Sequence, residues 1–213
     1  YNTDLVIMGP HTKEYEEKRS KMWGMAGSTL ERVSQKARCP VMIVTAEAET
    51  REQKFKTILV ATDFSEQSEC AVAYGAQMAR HYRAELSIFH VLDIVGASQS
   101  EIARRAEEAK ARMHEEFGPR VAGIERCNYE VWEGTPAMEI LKLARTRDAD
   151  LILMAHHSKE KDPEEAFMGS TMVQVALNSF CPTMSVNRHF DLRCGLMYDQ
   201  SGAAIHAPET APV

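Results

Sequence analysis

The chain has 213 residues, 44% of them hydrophobic, which suffices for a packed core in one large domain or in an ordinary domain joined to part of another. A formal net charge of -6 leaves no basic stripe to neutralise the phosphates of a nucleic acid, so nucleic acid is excluded as a partner. The longest apolar runs, ILVA at 58–61 and LILMA at 151–155, have the length of strands and fall far short of a bilayer span, so no membrane partner is expected.

In chain order, DLVIMGPHT at 4–12 reads as a strand running into a loop, and GST at 27–29 opens a helix with Leu30, Val33 and Ala37 on its apolar face. A strand is predicted over 41–45, and the polar stretch 47–54 is a linker. KTILVAT at 56–62 is a continuous branched run, the mark of a strand covered on both faces. A helix follows with Ala71, Tyr74, Gly75, Met78 and Tyr82 on one face, then the strand AELSIFHVL at 84–92. The charged segment 98–117 reads as a long exposed helix laced with opposite charges. CNYEVWEG at 127–134 is a further strand, after which Thr135 and Pro136 offer an N-cap and a first-turn proline to a helix striped by Ala137, Ile140, Leu141 and Ala144.

Residues 151–155 form the next strand, Ser170 caps a helix carrying Met172, Val173, Ala176, Leu177 and Phe180, and 183–187 is a last short strand. Beyond Phe190 there is no periodicity, and 189–213 reads as a loose tail. Strict alternation of strand and helix with short joins implies a parallel sheet covered by helices on both faces.

The chain also repeats itself. DLVIMGPHT at 4–12 aligns with DLILMAHHS at 150–158 at an offset of 146, while AGST with MGST and CPVMIV with CPTMSV both give 142, so the first copy carries four extra loop residues. Residues 1–46 then read as the closing part of a first domain and 55–188 as a complete second one. The first copy lacks counterparts of 55–147, and Tyr1 stands without a preceding methionine, so a truncated start is expected.

VATDFSEQSECAVAYGAQMA at 60–79, FHVLD at 89–93, DADLILMAHHS at 148–158, GST at 169–171 and CPTMSV at 181–186 together resemble the universal stress protein family. The resemblance covers nearly all of 55–188. It implies a doubly wound five-stranded parallel sheet in the order 3-2-1-4-5, of the adenine nucleotide alpha hydrolase-like kind, with the strand-helix-strand of the first copy as the remnant of a second such domain. It implies pairing through the fifth strands, as a homodimer or a tandem pseudo-dimer, and a stress-response or signalling role through dimerisation and contact with a protein partner rather than catalysis. Some members bind ATP and others do not. Magnesium would accompany the nucleotide.

In ATP-binding members the loop after the fourth strand resembles Gly-x-x-Gly, nine residues, then Gly-Ser/Thr. The glycines let the backbone approach the phosphates, and the Gly-Ser opens a helix whose N–H groups favour anions. Here the matching segment holds Met154, Ala155, Ser158, Gly169, Ser170 and Thr171, with Ala155 and Ser158 standing in place of glycines and ten residues, 159–168, before Gly169. By the same resemblance Asp63 contacts the nucleoside and Val91 the base. Read without the family, Asp63 and Glu66 form a cap at the start of the following helix, and Ser170 and Thr171 cap theirs. The first copy keeps Gly9, Gly27, Ser28 and Thr29 but has Thr12 at the second glycine position.

A catalytic version would draw its general base and metal ligand from Asp162, Glu164 or Glu165, the acids of that loop. His11, His156 and His157 read as loop histidines, because an adjacent pair cannot close a metal site. Cys39, Cys70, Cys127, Cys181 and Cys194 are scattered and odd in number, which fits reduced thiols and a cytoplasmic location. The twelve methionines read as core filler.

Overall fold

The computed structural model describes residues 3–10, 28–37, 39–45, 55–94, 96–156 and 167–186. Within them the strands are β1 (Val6–Met8), β2 (Val41–Ile43), β3 (Thr57–Ala61), β4 (Glu85–Leu92), β5 (Cys127–Glu133), β6 (Leu151–Ala155) and β7 (Thr183–Val186). The helices are α1 (Ser28–Lys36), α2 (Glu66–Tyr82), α3 (Gln99–Val121), α4 (Pro136–Thr146) and α5 (Ser170–Asn178). The linker 47–54, the tail 189–213, Gly27 and Ser158 lie outside the described residues.

The continuous apolar runs become the central strands. Ile58, Leu59 and Val60 of β3 pair in parallel with Leu151, Ile152 and Leu153 of β6, and all six are 0% exposed. Full burial of such side chains stabilises by about 1.5–3 kcal/mol each, which is why runs without alternation sit in the middle of the sheet. Asp150 fixes the start of this pairing by accepting from the N–H groups of Lys56 and Thr57 at 2.8 and 2.9 Å.

The sheet order is β1-β2-β7-β6-β3-β4-β5. Read from the far side, β5-β4-β3-β6-β7 is the expected order 3-2-1-4-5, every step parallel. The elements of the first copy do not form a sheet of their own. β2 adds to β7 in antiparallel fashion through Val41↔Ser185, Met42↔Met184 and Ile43↔Thr183, and β1 adds in parallel to β2, so one sheet of seven strands runs through the described residues. The Thr45 hydroxyl reinforces the junction by donating to the Ser179 carbonyl at 3.1 Å.

Each face of the sheet has its own core. One gathers Leu30, Ile140, Leu143 and Val173 from α1, α4 and α5; the other gathers Val72, Met113 and Phe117 from α2 and α3. α2 lies close on its strand, since a Cβ on Gly75 would fall 2.4 Å from a Val60 methyl, so glycine is needed there for packing rather than for its φ. Leu143 replaces the expected Leu141 in the buried stripe of α4; Leu141 is only half-buried.

α3 continues past its expected end at Phe117 through Gly118 and Pro119 to Val121. The reason is packing: Met113, Phe117 and Val121 recur every four residues and are all buried, so the apolar stripe outlasts the helix-breaking composition. The Arg80 guanidinium meets the Arg120 and Ala122 carbonyls and supplies partners that the helix end lacks. Of the described cysteines Cys39 and Cys181 are buried and Cys70 and Cys127 half-buried, all four with free thiols. Among the described residues no helix is long and apolar enough to cross a membrane.

Candidate functional site

β3 and β6 are neighbours whose connections leave in opposite directions, toward β4 on one side and β7 on the other. Such a reversal parts the loops at the carboxyl ends of the strands and opens a crevice there. The crevice in this chain is a cleft of about 700 Å³.

The first wall is the turn after β3. Asp63 Oδ1 accepts from the Ser65 N–H at 3.1 Å and from the Ser65 hydroxyl at 2.6 Å. Ser65 Oγ in turn accepts from the Ser68 N–H at 3.1 Å, so Ser65 is the N-cap of α2. Neither Asp63 nor Glu66 holds that position: Glu66 is the first helical residue, and Asp63 acts one step back by orienting the capping serine. Thr62 ties the turn off, accepting from the Phe64 N–H at 3.1 Å and lying 2.9 Å from Ser68 Oγ. Phe64 sits at φ 62, a left-handed conformation that costs a non-glycine residue on the order of 1–2 kcal/mol. Its ring offsets that cost by packing 4.6 Å from His90, with the Arg112 guanidinium 4.2 Å over its face. His90 is half-buried, which pushes its pKa below 6.5, and Nδ1 lies 2.9 Å from the Thr62 carbonyl. A carbonyl can only accept, so Nδ1 carries the proton.

Phe89 forms the floor, 0% exposed and edge-on to Trp132 at 5.4 Å. Val91 and Asp93 follow at the end of β4, and Pro136 and Ile140 of α4 face them across the cleft. Thr135 stands at the N-cap of α4 as expected, with Pro136 as the first helical residue, but its hydroxyl makes no capping bond.

The second wall starts at Met154 and Ala155. His156 follows, and it is not a loop histidine: it is 0% exposed, its N–H donates to the Val186 carbonyl at 2.8 Å, and Nδ1 lies 3.3 Å from Ser185 Oγ. Its carbonyl accepts from Gly169 N–H at 2.9 Å, which brings the start of α5 onto the end of β6. Gly169, rather than Ser170, is the N-cap of α5, and among the described residues no side chain caps the helix. Ser170 and Thr171 are its first two residues, and its first turn contains no acid. First-turn N–H groups have no partner within a helix, and with no side chain drawn onto them they favour an anion at this end of the cleft.

The cleft thus brings together Asp63, Val91, Met154, Ala155, Gly169, Ser170 and Thr171. Ser158, Asp162, Glu164, Glu165, His11, His157 and Gly27 lie outside the described residues. Gly9 follows β1, exposed and away from the cleft, and Ser28 opens α1. Sequence reasoning missed Thr62, Ser68, Phe89, Asp93, His156 and Phe167 as lining residues. Thr62 and Asp93 were signalled only by their places just past strand ends and Phe89 only by the apolar run of β4, whereas Phe167 had no local sign. Among the described residues the charged side chains of the lining are Asp63 and Asp93, and no group of three or more His, Cys, Asp or Glu is placed to hold a metal.

The model of the Universal stress protein family matches residues 54–187. Universal stress protein MJ0531 of Methanocaldococcus jannaschii is 27% identical over 151 residues, covering 64% of this chain and 85% of its own. A universal stress protein of Thermus aquaticus is 30% identical over 138 residues, covering 62% of this chain and 98% of its own. Among solved structures, hypothetical protein MJ0577 superposes with a TM-score of 0.53 at 27% identity over 64% of this chain. A universal stress protein from Archaeoglobus fulgidus has a TM-score of 0.58 at 23% identity, a likeness of fold that takes in 88% of this chain. This chain spans 62% of that longer one.

Proposed function

The chain belongs to the universal stress protein family, and on that premise we propose that it is a stress-response module that acts by pairing and partner contact, with an adenine nucleotide held in the cleft between β3 and β6. The observation that carries this reading is the convergence of Asp63, Val91, Gly169, Ser170 and Thr171 on one cleft, at a helix N-terminus that no described side chain caps. A volume of about 700 Å³ accommodates a nucleotide. The nucleoside would lie toward Asp63 and Val91, and the phosphates toward α5.

The acids sit at the nucleoside end and the helix N-terminus at the other, so the cleft's electrostatics favour that orientation. No described lysine or arginine lines the cleft, and a helix N-terminus contributes only about 0.3–2 kcal/mol to an anion, so the nucleotide is held weakly. Two of the described lining groups that could take a proton are already engaged in the fold. Asp63 Oδ1 already takes two hydrogen bonds from Ser65, and the His156 ring is buried against Ser185.

Titration of the full chain with a fluorescent ATP analogue and magnesium tests the reading. Saturable binding is expected, with Asp63→Ala and Gly169→Val each weakening it about tenfold. No saturation at millimolar nucleotide overturns it, and steady phosphate release by the wild type would replace the binding role with hydrolysis.

A further inference from the structure

The start of α5 is held from two sides. One hold, the Gly169 N–H on the His156 carbonyl, comes from the same copy. The other comes from across the chain: Glu31, in the first turn of α1, accepts from the Met168 N–H at 2.6 Å, a link between residues 137 apart. Met168 is 7% exposed and shares an apolar cluster with Leu30, while its neighbour Phe167 is 73% exposed at the lip of the cleft. The bond therefore fixes which of two adjacent large side chains turns inward, and with it the direction in which α5 leaves the lip.

We infer that Glu31 is a positioning residue for the anion-binding end of the cleft, so that the first copy completes the site of the second. The inference rests on the nucleotide reading above, since that reading gives the first turn of α5 its task. The arrangement is one-sided. The repeat places Val173 opposite Glu31 at the offset of 142, and valine has no acceptor, so the second copy cannot return the bond to the first. Pairing between the copies and ligand binding in the complete copy are coupled through one carboxylate and one amide.

Amide hydrogen exchange on the full chain, with and without the ATP analogue, tests this for Glu31→Ala and Glu31→Gln. Loss of a charge-assisted bond predicts that Glu31→Ala speeds exchange at Met168 about tenfold while Leu151 to Leu153 keep their rates. Glutamine retains an acceptor oxygen, so Glu31→Gln restores most of the protection. In the same variants the analogue binds about fivefold more weakly to Glu31→Ala and nearly normally to Glu31→Gln, with both variants still folded at the assay temperature. Unchanged exchange at Met168 in Glu31→Ala overturns the clamp whether or not nucleotide binds. Faster exchange with unaltered affinity overturns the coupling. Failure of the wild type to bind the analogue instead strikes the nucleotide reading and the coupling together, leaving the clamp to be judged by exchange alone.

Discussion

β6 and β1 come from nearly the same sequence, LILMA against LVIM, and end in different circumstances. β6 has five residues, lies between β3 and β7 and is buried along Leu151 to Met154. β1 has three, has β2 on one side only and alternates in exposure, with Ile7 at 62%. Asp150 receives two amides from the start of β3, whereas its counterpart Asp4 is exposed. Local sequence fixes that a strand forms, yet β1 and β6 run in opposite directions in the sheet. The neighbours fix how long it is and how much it stabilises.

The sharpest way to break the comparison is to truncate matched positions. Leu153 and Ile7 correspond at the offset of 146. Leu153→Ala should cost about 2–5 kcal/mol in urea unfolding and Ile7→Ala less than about 0.5. A similar cost at both would mean that the outer face of β1 is covered in solution.

Helix starts sharpen the point at smaller scale. Ser65 makes a capping bond and Ser170 makes none, so Ser65→Ala should lose about 1 kcal/mol and Ser170→Ala stay within about 0.5. Equal losses would return the capping role to Ser170.

The smallest effect concerns His90, which has no counterpart among the residues of the first copy. Burial lowers its pKa in the fold, so the unfolded chain takes up the proton first as pH falls. The stability it contributes is complete above 6.5 and is lost between 6.5 and the lowered folded value. Wild type should therefore lose stability relative to His90→Asn on acidification through that window. Parallel pH profiles from chemical unfolding would remove His90 as the cause.

Much of the fold was legible because its signals are local. Continuous branched runs, three- and four-residue stripes and the repeat offsets place β3 to β7 along the chain, while their order across the sheet came from the family resemblance. The cleft was legible in part for the same reason, since Asp63 follows a strand end and Gly169 opens a helix, whereas Val91, a residue within β4, was named through the family resemblance. What could not be read depends on contacts between segments far apart. His156 looks like a loop residue until Val186 and the start of α5 close over it. Ser65 is passed over beside two acids because its competitor Asp63 is itself turned toward it. Glu31 lies 137 residues away along the chain from the amide it accepts from. The end of α3 was misplaced because burial of Val121 outweighs the poor helical propensity of Gly118 and Pro119.

Among the described residues the antiparallel step between β2 and β7 spans the pairs Val41↔Ser185, Met42↔Met184 and Ile43↔Thr183. So short a ladder is the natural place for the sheet to part. The partners stay tethered through residues 46–54, which holds their effective concentration on the order of millimolar, so the break recloses within one molecule at ordinary dilution. Near that concentration the freed strand of one molecule competes equally for the edge of another. Exchange of β1, α1 and β2 between molecules would then be governed by crowding rather than by any change of sequence.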